Sequence, residues 1–155
     1  MAKQTDPLEI AKWGILLAGG YLVLKIFKGT GLIPSQQQTQ ADNLNFSVDQ
    51  KEWSKPSFWK KPAPAGYEAM GYTVSGTEKL ITDVYDSVGV FNDDEDKILG
   101  VLRGINYQTQ YSFLADKFLG KYGKDMTSYI KDAFNSQELY PGWSHIEKLP
   151  AYRKK

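Results

Sequence analysis

The sequence predicts an all-α protein: an N-terminal transmembrane helix, an extended linker and a small bundle of four to five helices. Three observations predict it. An uncharged, mostly apolar run lies near the N-terminus, from Trp13 to Leu24. Four later stretches between Glu78 and Phe134 repeat apolar side chains at the three-and-four spacing of an amphipathic helix. Asp and Asn stand in front of some of these stretches and Gly behind others, where helices need caps.

Extended from Leu8 to Phe27, the apolar run is 20 residues, about 30 Å as a helix and long enough to span a bilayer core. Its charges, Glu9, Lys12 and Lys25, lie near its ends, where long side chains reach the head groups. Trp13, Ile15, Leu16, Leu17, Leu22, Val23 and Leu24 are the expected lipid-facing anchor, within a segment bounded at 1–28. Asp6-Pro7 suits the helix start. A cleaved signal peptide would need a basic leader and a small-x-small site; Asp6 and Glu9 interrupt the leader, and Lys25-Ile26-Phe27-Lys28 ends the run. A buried helix of a soluble protein would need partners on every side, and this chain is too short to supply them. Ala11, Gly14 and Ala18 share one face, so homo-oligomerisation through close helix contact is an expectation.

Residues 29–69 read as a linker. Gly29-Thr30-Gly31 and Pro34 stop the anchor helix, and residues 35–52 are Gln-rich with too few apolar groups to fold alone. Then Trp53, Phe58 and Trp59 alternate with prolines and with Lys60 and Lys61. Such a segment is either an arm that lies on a partner protein or membrane, with these five residues as contacts, or a strap across the chain's own helical domain.

The helical domain is expected over 70–149. Glu78–Val88 aligns Leu80, Ile81, Val84, Tyr85 and Val88; Asp93–Arg103 aligns Ile98, Val101 and Leu102. Tyr107–Tyr122 aligns Tyr111, Leu114 and Phe118; Asp125–Phe134 aligns Met126, Tyr129, Ile130 and Phe134. Asn92 with Glu95 resembles a capping box, Asp125 is a natural cap, and Gly104 and Gly123 fit helix ends. A fifth, weaker segment, Trp143–Leu149, follows an expected break at Pro141-Gly142. The basic tail, 150–155, reads as a solvated terminus.

Two runs in this domain, Val84 to Leu102 and Phe118 to Phe134, resemble a single annexin repeat. The resemblance implies five short helices and, in that family, calcium-dependent membrane binding through loop carbonyls and a distant carboxylate. The chain departs from that pattern where calcium would bind. Gly89 matches the first loop glycine, but Phe91 stands at the second, and Lys131 falls near the carboxylate position with Asp132 beside it. Asp93, Asp94, Glu95 and Asp96 therefore read as an acidic helix start and not as a metal site.

Other chemistry is sparse. Without cysteine there are no thiolate sites or disulfides, and His145 is the only histidine, so a triad or zinc set lacks members. No Gly-rich phosphate loop is present. Residues 67–149 carry eight basic and thirteen acidic side chains, which argues against nucleic acid as a partner. The expectation is no enzyme, no cofactor and no metal. In layout the chain resembles the minor membrane proteins of icosahedral bacteriophages with an internal membrane. That implies a single-pass structural protein linking the virion's internal membrane to its capsid, with the bilayer and other structural proteins as partners. The alternative is a cellular membrane-anchored adaptor with an annexin-like lipid- or protein-binding head.

Overall fold

The computed structural model describes residues 36–88 and 93–155. The predicted anchor, with its contact face Ala11, Gly14 and Ala18, and the annexin-like loop positions Gly89 and Phe91 lie outside the described residues. Among the described residues no helix is long and apolar enough to cross a membrane.

The described chain is mostly helical, as the sequence predicts. Six helices follow in order: α1 (Gln36–Ser47), α2 (Val74–Ser87), α3 (Glu95–Arg103), α4 (Gln108–Tyr122), α5 (Met126–Ala133) and α6 (Ser136–Glu147). Two-residue strands, β1 (Tyr67–Glu68) and β2 (Arg153–Lys154), form one antiparallel pair.

Local chemistry sets the helix starts. Thr73 caps α2 by accepting from the Gly76 N–H, so this helix begins four residues before the predicted Glu78. Asp94 caps α3 through the Lys97 N–H at 2.9 Å; the expected cap residue Asn92 lies outside the described residues. Gln110 reaches back to accept from the Asn106 and Tyr107 N–H groups at the start of α4. Asp125 caps α5 through Ser128 as expected. Gly123 closes α4 at φ 66°, a left-handed conformation that glycine adopts without steric cost.

Two expectations about breaks need correction. Pro141 does not end a segment: α6 runs through it, because Asn135 and Glu138 form a capping box that starts the helix five residues earlier. Gly142 serves packing, since a Cβ there would stand 2.5 Å from Leu102 Cδ1. It is the close-approach point of α3 and α6.

The second correction concerns the linker. Residues 36–47 are helical, and Val48–Gln50, Glu52–Ser54 and Phe58–Lys60 are short 3-10 turns. Gln38–Lys155 is one contact unit. α1 has only a thin apolar stripe: Ala41 is fully buried, and Leu44 packs half-buried against the core. Polar contacts to α6 add to that packing: Trp143 Nε1 donates to Asn45 Oδ1 at 3.1 Å, and the Tyr140 hydroxyl donates to Gln40 Oε1 at 3.3 Å.

The core is centred on α4, whose Tyr111, Leu114 and Phe118 are fully buried, with Ile98 and Leu102 from α3 and Trp143 and Ile146 from α6. The Tyr111 hydroxyl bonds Thr127 Oγ1 at 2.9 Å, and burial pushes its pKa well above the ordinary tyrosine value. The C-terminal tail is held rather than loose. Gln108 N donates to Pro150 O, Thr109 N to Ala151 O and Lys155 N to Gly66 O. These bonds cap the start of α4 and pair the tail with β1, while the side chains of Arg153, Lys154 and Lys155 stay exposed.

Candidate functional site: a groove between α2 and α4

α2 and α4 lie side by side in the same sense. Gly71, ahead of α2, abuts Phe113; Lys121 donates to Glu78 at 2.6 Å; Tyr85 stacks on Tyr122 at 4.2 Å. Above their contact line is a groove of about 600 Å³. Phe113, Asp116, Lys117, Gly120 and Lys121 line it from α4, the i, i+3, i+4 pattern of one helix face. Val74, Thr77, Glu78 and Ile81 line it from α2, and Tyr72 stands at its end.

The floor is closed: Ile81 and Thr77 are buried, and Phe113 is half-buried under the Trp59 ring, edge to face at 5.0 Å. The polar rim is unevenly engaged. Lys121 is held by Glu78, which raises its pKa, and Asp116 accepts from Lys60 at 2.7 Å. Lys117 is the loose cation, 3.9 Å from Asp116 and 5.3 Å from the centre of the Phe113 ring. The Tyr72 hydroxyl has no hydrogen-bond partner among the described residues, and burial raises its pKa to about 12, so it is a neutral donor at ordinary pH.

The predicted arm residues sit close to this groove but do different work. Trp53 is 4 % exposed and belongs to the core, 5.2 Å from the Tyr111 ring and 6.1 Å from that of Trp143. Its N–H donates to Glu147 Oε2 at 2.9 Å, so Trp53 is no anchor for a partner. Phe58 is half-buried against Tyr152, and Trp59 against Phe113. Lys60 is tied to Asp116 and Lys61 to Glu52. Of the two readings left open for this segment, its contacts are those of a strap. One loose end remains: Trp59 Nε1 is buried without a hydrogen-bond partner.

Elsewhere, Lys131, near the annexin-like carboxylate position, pairs with Asp49. His145 is half-buried, with Nε2 2.8 Å from the Ile105 carbonyl; that acceptor selects the tautomer protonated at Nε2, a packing role. The acidic start of α3 meets α6, where Glu138 beside Glu95 raises the Glu95 pKa. Among the described residues no group of three or more His, Asp or Glu is placed to hold a metal ion. The groove escaped the sequence reading because its signal is a surface face of α4, Phe113-x-x-Asp116-Lys117-x-x-Gly120-Lys121, that periodicity alone assigns to solvent. No family model, curated protein or solved structure matches the chain.

Proposed function

We propose that this protein is a structural tether: residues 8–27 sit in a bilayer, and the helical head binds a protein of a larger assembly. In its specific form it is a virion membrane protein joining an internal membrane to a capsid. One pairing carries the reading. A 20-residue apolar window, long enough to span a bilayer core, precedes a head with a core of its own among the described residues 48–146. Phe46, 77 % exposed on α1, gives the head an apolar contact for a partner. The head acts by binding and not by catalysis. The cellular adaptor is the second reading, favoured by five short helices, α2–α6, in the span where the annexin-like repeat falls.

Carbonate extraction of membranes expressing the full chain tests the anchor. The protein stays in the pellet if the reading holds; release of intact chain sinks it. Cross-linking in the native assembly tests the head, with cross-links expected from the Phe46 side of α1 to a second structural protein. Calcium-dependent liposome binding by the head would favour the adaptor.

A further inference from the structure

The groove between α2 and α4 has a chemistry that the tether reading does not use. Its floor is apolar, from Ile81 and Phe113. Its rim charges are nearly cancelled: Glu78 by Lys121 and Asp116 by Lys60. One cation is left over, Lys117, and one hydroxyl, that of Tyr72, is without a partner among the described residues. A single cation and a single neutral donor beside an apolar floor match a ligand with an apolar body and one singly charged head. A doubly charged phosphate would call for more donors and a second cation.

The volume, about 600 Å³, falls in the usual range of small-molecule sites. A docked protein fits less well. A stable protein interface covers roughly 800 Å² per partner, whereas Ile81 and Thr77 are already closed below the groove and only Val74, Phe113 and Tyr72 offer open apolar surface. An extended peptide would bring backbone N–H and C=O groups that two helix walls, with their own backbone bonds satisfied internally, cannot pair. We propose that the α2–α4 groove binds an amphiphilic monocarboxylate of the fatty-acid type. Its carboxylate lies between Lys117 and the Tyr72 hydroxyl, and its apolar chain lies over Phe113 and Ile81.

The test is methyl NMR on the full-length protein in phospholipid nanodiscs, titrated with octanoate and, separately, with neutral octanamide. Octanoate should shift the Val74 and Ile81 methyl resonances saturably, and octanamide should bind about tenfold more weakly. Lys117→Gln should remove that preference, and Tyr72→Phe should weaken both ligands, since carboxylate and amide carbonyl alike accept from the hydroxyl. Gly120→Leu blocks the site without disturbing the fold: Gly120 lines the groove, and a Cβ there meets nothing within 4 Å. It should abolish both responses. Equal affinity for octanoate and octanamide overturns the proposal. So does octanoate binding unchanged by Lys117→Gln, or methyl shifts that persist in Gly120→Leu.

Discussion

The two halves of the strap, Val48–Ser54 and Pro56–Pro64, each carry one tryptophan beside lysine and serine, and the two tryptophans end in different places. The first half sends Trp53 into the core, between Tyr111 and Trp143, and matches its indole N–H with the Glu147 carboxylate. Glu147 also accepts from Lys51 at 2.6 Å, so one carboxylate fastens the strap to α6 at two points. The second half lays Trp59 edge-on against Phe113, under Lys117, and leaves its N–H without a partner. Its backbone is better served: Trp59 N donates to Ser112 Oγ at 3.0 Å, and Ser112 Oγ donates in turn to the Lys55 carbonyl. The lesson is that a Trp/Pro/Lys segment is not one kind of object. The first tryptophan is a structural bolt, and the second backs Phe113, one of the rings that line the groove.

The difference predicts a graded response to mutation. Trp53→Ala should be the most damaging, removing a buried indole and stranding part of Glu147 and Tyr111, with a loss of roughly 3–5 kcal/mol. Urea unfolding followed by circular dichroism measures it. A loss under 1 kcal/mol would mean that Trp53 is not part of the core.

Glu147→Ala separates the bolt's hydrogen bond from its packing. The Lys51–Glu147 pair is about a third exposed, so the ion pair itself adds little; the main effect is a buried indole N–H left unpaired. The expected cost is about 1–2 kcal/mol. The same measurement in a Trp53→Phe background should show a smaller cost, because the ring no longer has an N–H to strand. Equal costs in both backgrounds would assign the effect to Lys51 instead.

Trp59→Phe is the mirror of that experiment. It removes a donor that already lacks a partner, so the lost ring area is offset by relief of an unpaired polar group, and stability should change by about 1 kcal/mol or less. A loss as large as that of Trp53→Ala would mean that the second half is also a bolt.

These regions also show what the sequence could and could not convey. α2 to α5 were legible because their apolar residues repeat on one face and their caps are sequence signals: Asp125 and Gly123 stand where expected. α1 was not, since its apolar stripe is thin, Ala41 and Leu44, and is supplemented by amide contacts such as Asn45 with Trp143, which no periodicity encodes. Pro141 misled because a strong capping box upstream and a close helix crossing at Gly142 outweigh its local cost. Both readings of the 53–64 segment were open in the sequence, since aromatic residues between prolines serve core and interface alike. The choice was made by Tyr111 and Trp143, which lie far from Trp53 in sequence. The groove was illegible for a related reason: it depends on which two faces meet, and on Lys60 from the strap reaching Asp116 and leaving Lys117 the looser cation.

The smallest expected effect lies at the hinge between the two halves. Glu52 accepts from both Lys55 and Lys61, linking the first half's turn to the second half's lysine. These two ammonium groups, by hydrogen bonding first and by charge second, hold its carboxyl at about 2, below its ordinary value of 4.5. The folded state therefore binds the Glu52 proton less readily than the unfolded one. Its contribution to stability is fully present above about pH 4.5 and is lost as the pH falls towards 2. The Glu52 side chain is exposed, so solvent and salt screen the contribution and the global unfolding midpoint should move little. The local signal is the sharper measurement. A titration of the Glu52 side-chain carboxyl carbon by NMR should give a midpoint well below 4.5, and Lys61→Gln should raise it by part of the difference, leaving Lys55 to account for the rest. A midpoint at the ordinary value in the unmodified protein would show that the two halves are not joined through Glu52 in solution.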